Sequence, residues 1–182
     1  MKSQGARPGS VMKKMESSDI FALLESDHEK VIQKTNALIE DLNNMHCEGK
    51  ASFQKNLGRV KEALHFFNGE VMEHMALEER TLFPYLETHV PRVSSAIRFL
   101  QAEHDDFRNN LKIFEFLVRE LSRHKNDAER SKTVDRIRET GTYLSYLLRH
   151  HIEAEQRSVY HSLERDLKAS EKSELQKRIL KP

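Results

Sequence analysis

The chain has 182 residues, enough for one domain of long helices, and its 30 basic and 29 acidic side chains are interspersed, so no one-sided basic footprint points to nucleic acid. No apolar run approaches the roughly 20 residues a membrane-spanning helix needs, and Met1 to Met15 lacks an apolar secretory core, so no membrane partner is expected and the cytosol is the expected compartment. Cys47 is the only cysteine, which excludes an internal disulfide and any site built from several thiolates, whereas histidine occurs ten times.

Residues 1–16 mix Gly5, Pro8 and Gly9 with Ser and Lys and read as a flexible leader. Ser17, Ser18 and Asp19 are good N-cap residues. After them Phe21, Leu24, His28, Val31, Thr35, Leu38 and Leu42 alternate steps of three and four, which predicts a first helix over about 18–44. A break from His46 to Ala51 follows. The second stripe is Leu57, Val60, Leu64, Phe67, Val71, His74, Glu78, Thr81 and Tyr85, ending near His89 and Pro91, with Pro84 expected to bend or shorten the last turn. Ile97, Leu100, His104, Phe107, Leu111, Phe114, Val118 and Leu121 mark a third helix, and Ile137, Gly141, Leu144, Leu148, His151, Glu155 and Ser158 a fourth. No segment alternates with period two. The expectation is all-α: an up-down-up-down antiparallel four-helix bundle over 17–168, followed by a polar C-terminal helix or tail over 169–182.

Each stripe carries a histidine where the pattern asks for an apolar residue, and two carry a glutamate four residues later. A lone buried histidine is ordinarily a core residue with a satisfied hydrogen bond. Six polar groups in one core are costly unless something they bind offsets their desolvation. In an antiparallel bundle His28, Glu78, His104 and Glu155 lie at similar depths, roughly 15 to 18 Å from one end at ~1.5 Å rise per residue. The run His74 to Phe83 also aligns with His151 to Tyr160, so the second and fourth helices present one face twice. The candidate metal ligands are therefore His28, His74, Glu78, His104, His151 and Glu155. Four imidazoles with two carboxylates suit iron, manganese or zinc, and with a shared oxo or hydroxo bridge they leave open positions on two ions for a small molecule.

His28 after Asp27, the run His74 to Pro84 with Glu78-Glu79 and Leu82-Phe83-Pro84, Glu103-His104, and His151 to Glu155 together resemble the hemerythrin-like, or HHE cation-binding, family over about residues 18–167. That resemblance implies two iron ions in an oxo- or hydroxo-bridged centre inside a four-helix bundle. Oxygen-carrying hemerythrins look like five-histidine sites with an aspartate on the fourth helix. Here Arg108 stands at the extra histidine position and Glu155 replaces the aspartate. The set is similar instead to hemerythrin-like domains implicated in iron sensing, nitric-oxide or peroxide response and iron–sulfur repair, although the cysteine-bearing region of the repair proteins is lacking.

His65 faces away from the proposed layer, and His150 is one step off the stripe with Ala154 at its +4 position, so His151 is favoured over it. His46, His89, His124 and His161 read as loop or solvated residues, with His89 within reach of the site mouth. Glu73, Glu79 and Glu103 can orient an imidazole, but solvated helix-face carboxylates are the commoner reading. Phe67, Val71, Phe107, Leu111 and Leu144 are expected core residues beside the layer, and Thr81, Ser158 and Tyr85 candidates for a polar entrance. The expected function is a non-haem di-iron protein that binds or reacts with oxygen, nitric oxide or peroxide in sensing or stress protection, as a monomer or weak homo-oligomer. The alternatives are an iron-responsive regulatory module without turnover and a metal-free helical bundle.

Overall fold

A computed structural model of the chain describes residues 18–47, 50–121, 123 and 127–180; the leader expected over 1–16 lies outside them. Among the described residues there is no strand. The helices are α1 (Ser18–Cys47), α2 (50–89), α3 (Ser94–Leu121), α4 (127–166) and α5 (Ala169–Ile179). α1 packs along α2 and α4, and α4 packs along α3. No described helix is long and apolar enough to cross a membrane.

The apolar core is divided in two. One part gathers Val31, Leu38 and Leu42 of α1, Phe67, Val71 and Met75 of α2, Phe107, Leu111 and Phe114 of α3, and Leu144, Leu148 and Ile152 of α4. The other joins Leu24, Leu82, Phe83, Leu86, Ile97, Leu100, Val159 and Leu163 with Leu175 of α5. Between them every stripe changes from apolar to polar at the same level: Leu24, His28, Val31 on α1; Met75, Glu78, Leu82 on α2; Leu100, His104, Phe107 on α3; Ile152, Glu155, Val159 on α4.

Two rods depart from regular α-helix next to that level. α2 contains wide π turns at Phe67–Val71 and Glu78–Leu82, and α4 contains one at Gln156–Tyr160. The turn at Glu78–Leu82 explains why Pro84 neither ends nor shortens the helix. Proline has no N–H and its ring crowds the carbonyl four residues back, that of Arg80, but a π turn already spreads the backbone there. The helix runs on to His89. The same turns change which residues face inward. Leu82 and Val159, four residues after each glutamate, are 1% and 0% exposed, whereas Thr81 and Ser158, three residues after it, are only half-buried.

α5 closes the end of the bundle beyond the second core. The Lys168 backbone N–H donates to Glu171 Oε2 at 2.8 Å and starts the helix. The Tyr85 hydroxyl donates to the Glu171 carbonyl at 2.8 Å, and Leu175 is buried. Tyr85 is thus largely covered by α5, and its edge lines a surface pocket with Thr81, Thr88 and His89.

Gly141 marks a close approach of α4 to its neighbours. A Cβ there would stand 2.6 Å from Leu42 Cδ1 and 2.8 Å from Phe114 Cε2. Alanine gains up to about 1 kcal/mol in helix propensity, but overpacking a filled core costs about 1–3 kcal/mol. Phe114 is fully buried, so its ring would have to shift within the core. Gly141→Ala is therefore expected to lower the melting temperature. Adding Phe114→Leu, which frees the space, is expected to recover part of that loss relative to Phe114→Leu alone; strict additivity in a thermal-melt double-mutant cycle would refute the clash.

Candidate metal centre

All six residues singled out by the sequence meet in the polar layer. His28, Glu78, His104, His151 and Glu155 are between 0% and 4% exposed, and the His74 side chain is 11% exposed. They form two groups. In the first, His28 Nε2 lies 3.2 Å from His74 Nε2 and 3.1 Å from Glu155 Oε2, and His74 Nε2 lies 2.9 Å from Glu78 Oε1. In the second, His104 Nε2 lies 3.2 Å from both His151 Nε2 and Glu78 Oε2. Glu78 belongs to both, turning one oxygen to each histidine pair.

These separations fit a cation. Two ligand atoms at right angles on an ion with bonds of ~2.1 Å stand about 3.0 Å apart. The hydrogen-bond bookkeeping agrees: both oxygens of Glu78 and both of Glu155 are buried without a hydrogen-bond partner. Such atoms cost about 1–3 kcal/mol each when left alone, and positive charge between them and the Nε2 atoms is what would compensate. The donor set suits iron, manganese or zinc.

Behind the Nε2 atoms the rings are held unequally. His104 Nδ1 pairs with Glu79 Oε1 at 2.8 Å, and Arg108 Nη2 donates to both oxygens of that carboxylate at 2.7 and 2.8 Å. His151 Nδ1 pairs with Glu103 Oε2 at 3.2 Å, whose other oxygen meets His150 Nδ1 at 2.7 Å. His74 Nδ1 is 3.9 Å from Asp27 Oδ2, an ion pair without a hydrogen bond, and Asp27 is held by Lys30 at 2.8 Å. His28 Nδ1 is buried with no hydrogen-bond partner.

Glu79 and Glu103 therefore orient the His104 and His151 imidazoles, where the commoner expectation was solvated carboxylates. Arg108 lies four residues after His104 on one face of α3, and that spacing is the signal that tied it to the site. His150, with a side chain 64% exposed, supports Glu103 from outside while His151 points inward. His65 and His161 are exposed as expected; His89 is bonded to the Tyr85 carbonyl at 2.8 Å, and the His46 and His124 side chains lie outside the described residues. Glu73 is exposed.

Tyr160 was not singled out. Its ring stacks on His28 with centroids 5.4 Å apart, as Phe83 stacks on His104 at 5.8 Å. Phe83 and Tyr160 are partners in the internal repeat, and that alignment was the available signal.

Charge is distributed accordingly. Burial, joined by the neighbouring charge of His74, pushes the His28 imidazole down to about 4. Burial acts against charge on His74 too, but Asp27 and Glu78 outweigh it and push its pKa up to about 9. Burial and the charge of Glu78 hold the Glu155 carboxyl well above the ordinary carboxylate range. Burial opposes ionisation of Glu78 as well, yet His104 and His74 keep its pKa well below the usual value.

On the inner side of the layer a cavity of about 20 Å³ is bounded by His28, His74 and His151 and by Val31, Val71 and Leu148. It has room for about one water-sized molecule. The expected core residues Phe67, Val71, Phe107, Leu111 and Leu144 are all buried beside this region.

No curated protein matches this chain. Family comparison gives a positive result over α1 to α3, taking in His28, His74, Glu78 and His104; His151 and Glu155 lie beyond the matched span and are placed by the structure alone. Because the family model of the hemerythrin HHE cation binding domain matches residues 19–122, more than half of the sequence, the chain belongs to that family.

Proposed function

We propose that the protein is a non-haem di-iron protein that binds or reacts with a small oxidant, whether oxygen, nitric oxide or peroxide, in sensing or stress protection. In this reading His28, His74 and Glu155 would hold one ion and His104 and His151 the other, with Glu78 offering one oxygen to each. The helices run up-down-up-down, which accords with the second core joining the start of α1, the end of α2, the start of α3 and the end of α4. Bound iron would supply electrons and open coordination positions; the chain supplies the rest. Leu82, Phe83, Leu100 and Val159 close one side of the layer against water. The apolar cavity beside His28, His74 and His151 fits a diatomic molecule better than a larger polar substrate. Arg108 occupies the place of a fifth histidine and ties up Glu79, which argues for reactivity other than reversible oxygen carriage.

The observation that carries this reading is Glu78, buried, without a hydrogen bond, and presenting one oxygen to each of two histidine pairs. Protein produced with ample iron is expected to contain close to two iron ions per chain and, in air, to show the near-ultraviolet absorption of bridged ferric iron. A preparation without iron under those conditions defeats the proposal. A second reading, an iron-responsive module whose output is a change in folding or partner contact, is favoured by the burial of Glu78 and Glu155 near enough for the charge of one to raise the carboxyl of the other, since a cation that offsets two such carboxylates also holds the bundle together.

A further inference from the structure

The internal repeat extends from the ligands to the groups behind them. α1 corresponds to α3, with Asp27-His28 matching Glu103-His104, and α2 corresponds to α4, with Glu78-Glu79 matching Glu155-Gln156. In the α2/α3 relation Glu79 reaches His104 Nδ1, and in the α3/α4 relation Glu103 reaches His151 Nδ1. The equivalent groups on the other half fall short. Asp27 is one methylene shorter than Glu103 and stops 3.9 Å from His74 Nδ1. Gln156 stands where Glu79 has its counterpart and is exposed, and His28 Nδ1 has no hydrogen-bond partner.

Accessibility runs the same way. His74 borders a surface groove of about 290 Å³ that also touches Asp27, Lys30, Glu70 and Glu73. Three carboxylates against one ammonium make that groove attractive to cations. His104, by contrast, is wholly buried.

Building on the di-iron reading above, we propose that the two ions are held unequally: the one between His104 and His151 is fixed by Glu79 and Glu103, and the one between His28 and His74 exchanges through the Asp27 groove. The extra donor that Glu155 brings to the His28 group does not reverse the order, because exchange rate depends on how freely a ligand ring can turn off its ion. An imidazole with no partner on its far nitrogen is held in place less firmly than one anchored by a carboxylate. Loss of such a partner typically costs roughly 10- to 100-fold in metal affinity.

The test loads the full chain with ferrous iron without air and mixes it with excess ferrozine, following the coloured chelate. Release is expected in two phases of one ion each, separated by roughly ten-fold or more in rate. Asp27→Glu combined with Gln156→Glu supplies the missing supports and is expected to slow the fast phase. Glu79→Gln is expected to speed the slow one. Slower release cannot come from misfolding, which would only free iron sooner, so the first variant keeps the test decisive. A single phase carrying both ions, or a fast phase unmoved by Asp27→Glu/Gln156→Glu, overturns the proposal. Absence of bound iron before ferrozine is added defeats the di-iron reading itself, and is seen in the metal content alone.

Discussion

On the di-iron reading, Glu78→Ala is expected to strip both ions from the protein, leaving no more than trace iron after purification and no near-ultraviolet band. The other five residues of the layer each stand with one histidine pair, but Glu78 stands with both, its Oε1 at 2.9 Å from His74 Nε2 and its Oε2 at 3.2 Å from His104 Nε2. Losing a group that merely supports a ligand costs roughly 10- to 100-fold in affinity. Losing a donor common to two ions costs more, at each ion. Histidine substitutions should be gentler on the opposite pair: His104→Ala is expected to spare part of the iron beside His28 and His74. Glu78→Ala that keeps close to two ions per chain would show that the carboxylate is not shared.

The second large effect is on the metal-free protein, where Glu155→Gln is expected to raise stability at neutral pH by about 2 kcal/mol, the scale on which burial of an uncompensated polar group is felt. For a chain of this size that is a gain of roughly 4–8 °C in melting temperature. The sign follows from proton linkage. Burial and Glu78 raise the Glu155 carboxyl in the folded state above its ordinary 4.5. The folded chain therefore retains a proton that the unfolded chain gives up, and stability falls as the pH climbs above 4.5. Glutamine carries no such proton, so its advantage should be present at pH 7 and vanish near pH 4. Glu78→Gln should bring no comparable gain, because His104 and His74 hold Glu78 in its charged form. Thermal melts of chelator-treated protein across that pH range decide the matter, and an advantage that persists unchanged at pH 4 would refute the linkage.

The helices were legible because their stripes are regular: Ile97 to Leu121 marks α3 to within a few residues of Ser94–Leu121. The grouping of the six polar residues was legible for a related reason, since one polar interruption per stripe at matched depth forces them together. What lay hidden depends on backbone and distance. A π turn leaves no mark in a three-four pattern, so Thr81 and Ser158 took the inward places that Leu82 and Val159 occupy. The part played by Glu79 and Glu103 turns on whether a carboxylate ends 2.8 or 3.9 Å from a ring nitrogen, and a sequence does not carry that difference. Tyr85 depended on where α5 comes to rest, which its polar composition did not reveal.

The split core gives the molecule a waist. No apolar cluster crosses it, so the smaller plug, assembled from the start of α1, the end of α2, the start of α3, the end of α4 and α5, is joined to the larger one across a belt of ionisable groups. Breathing motions that leave the larger plug intact can begin at that belt. Amides around Leu24 and Leu163 should then exchange with deuterium faster than those around Leu38 and Phe114 once chelator is added, so that the protein loosens at one end well before it melts.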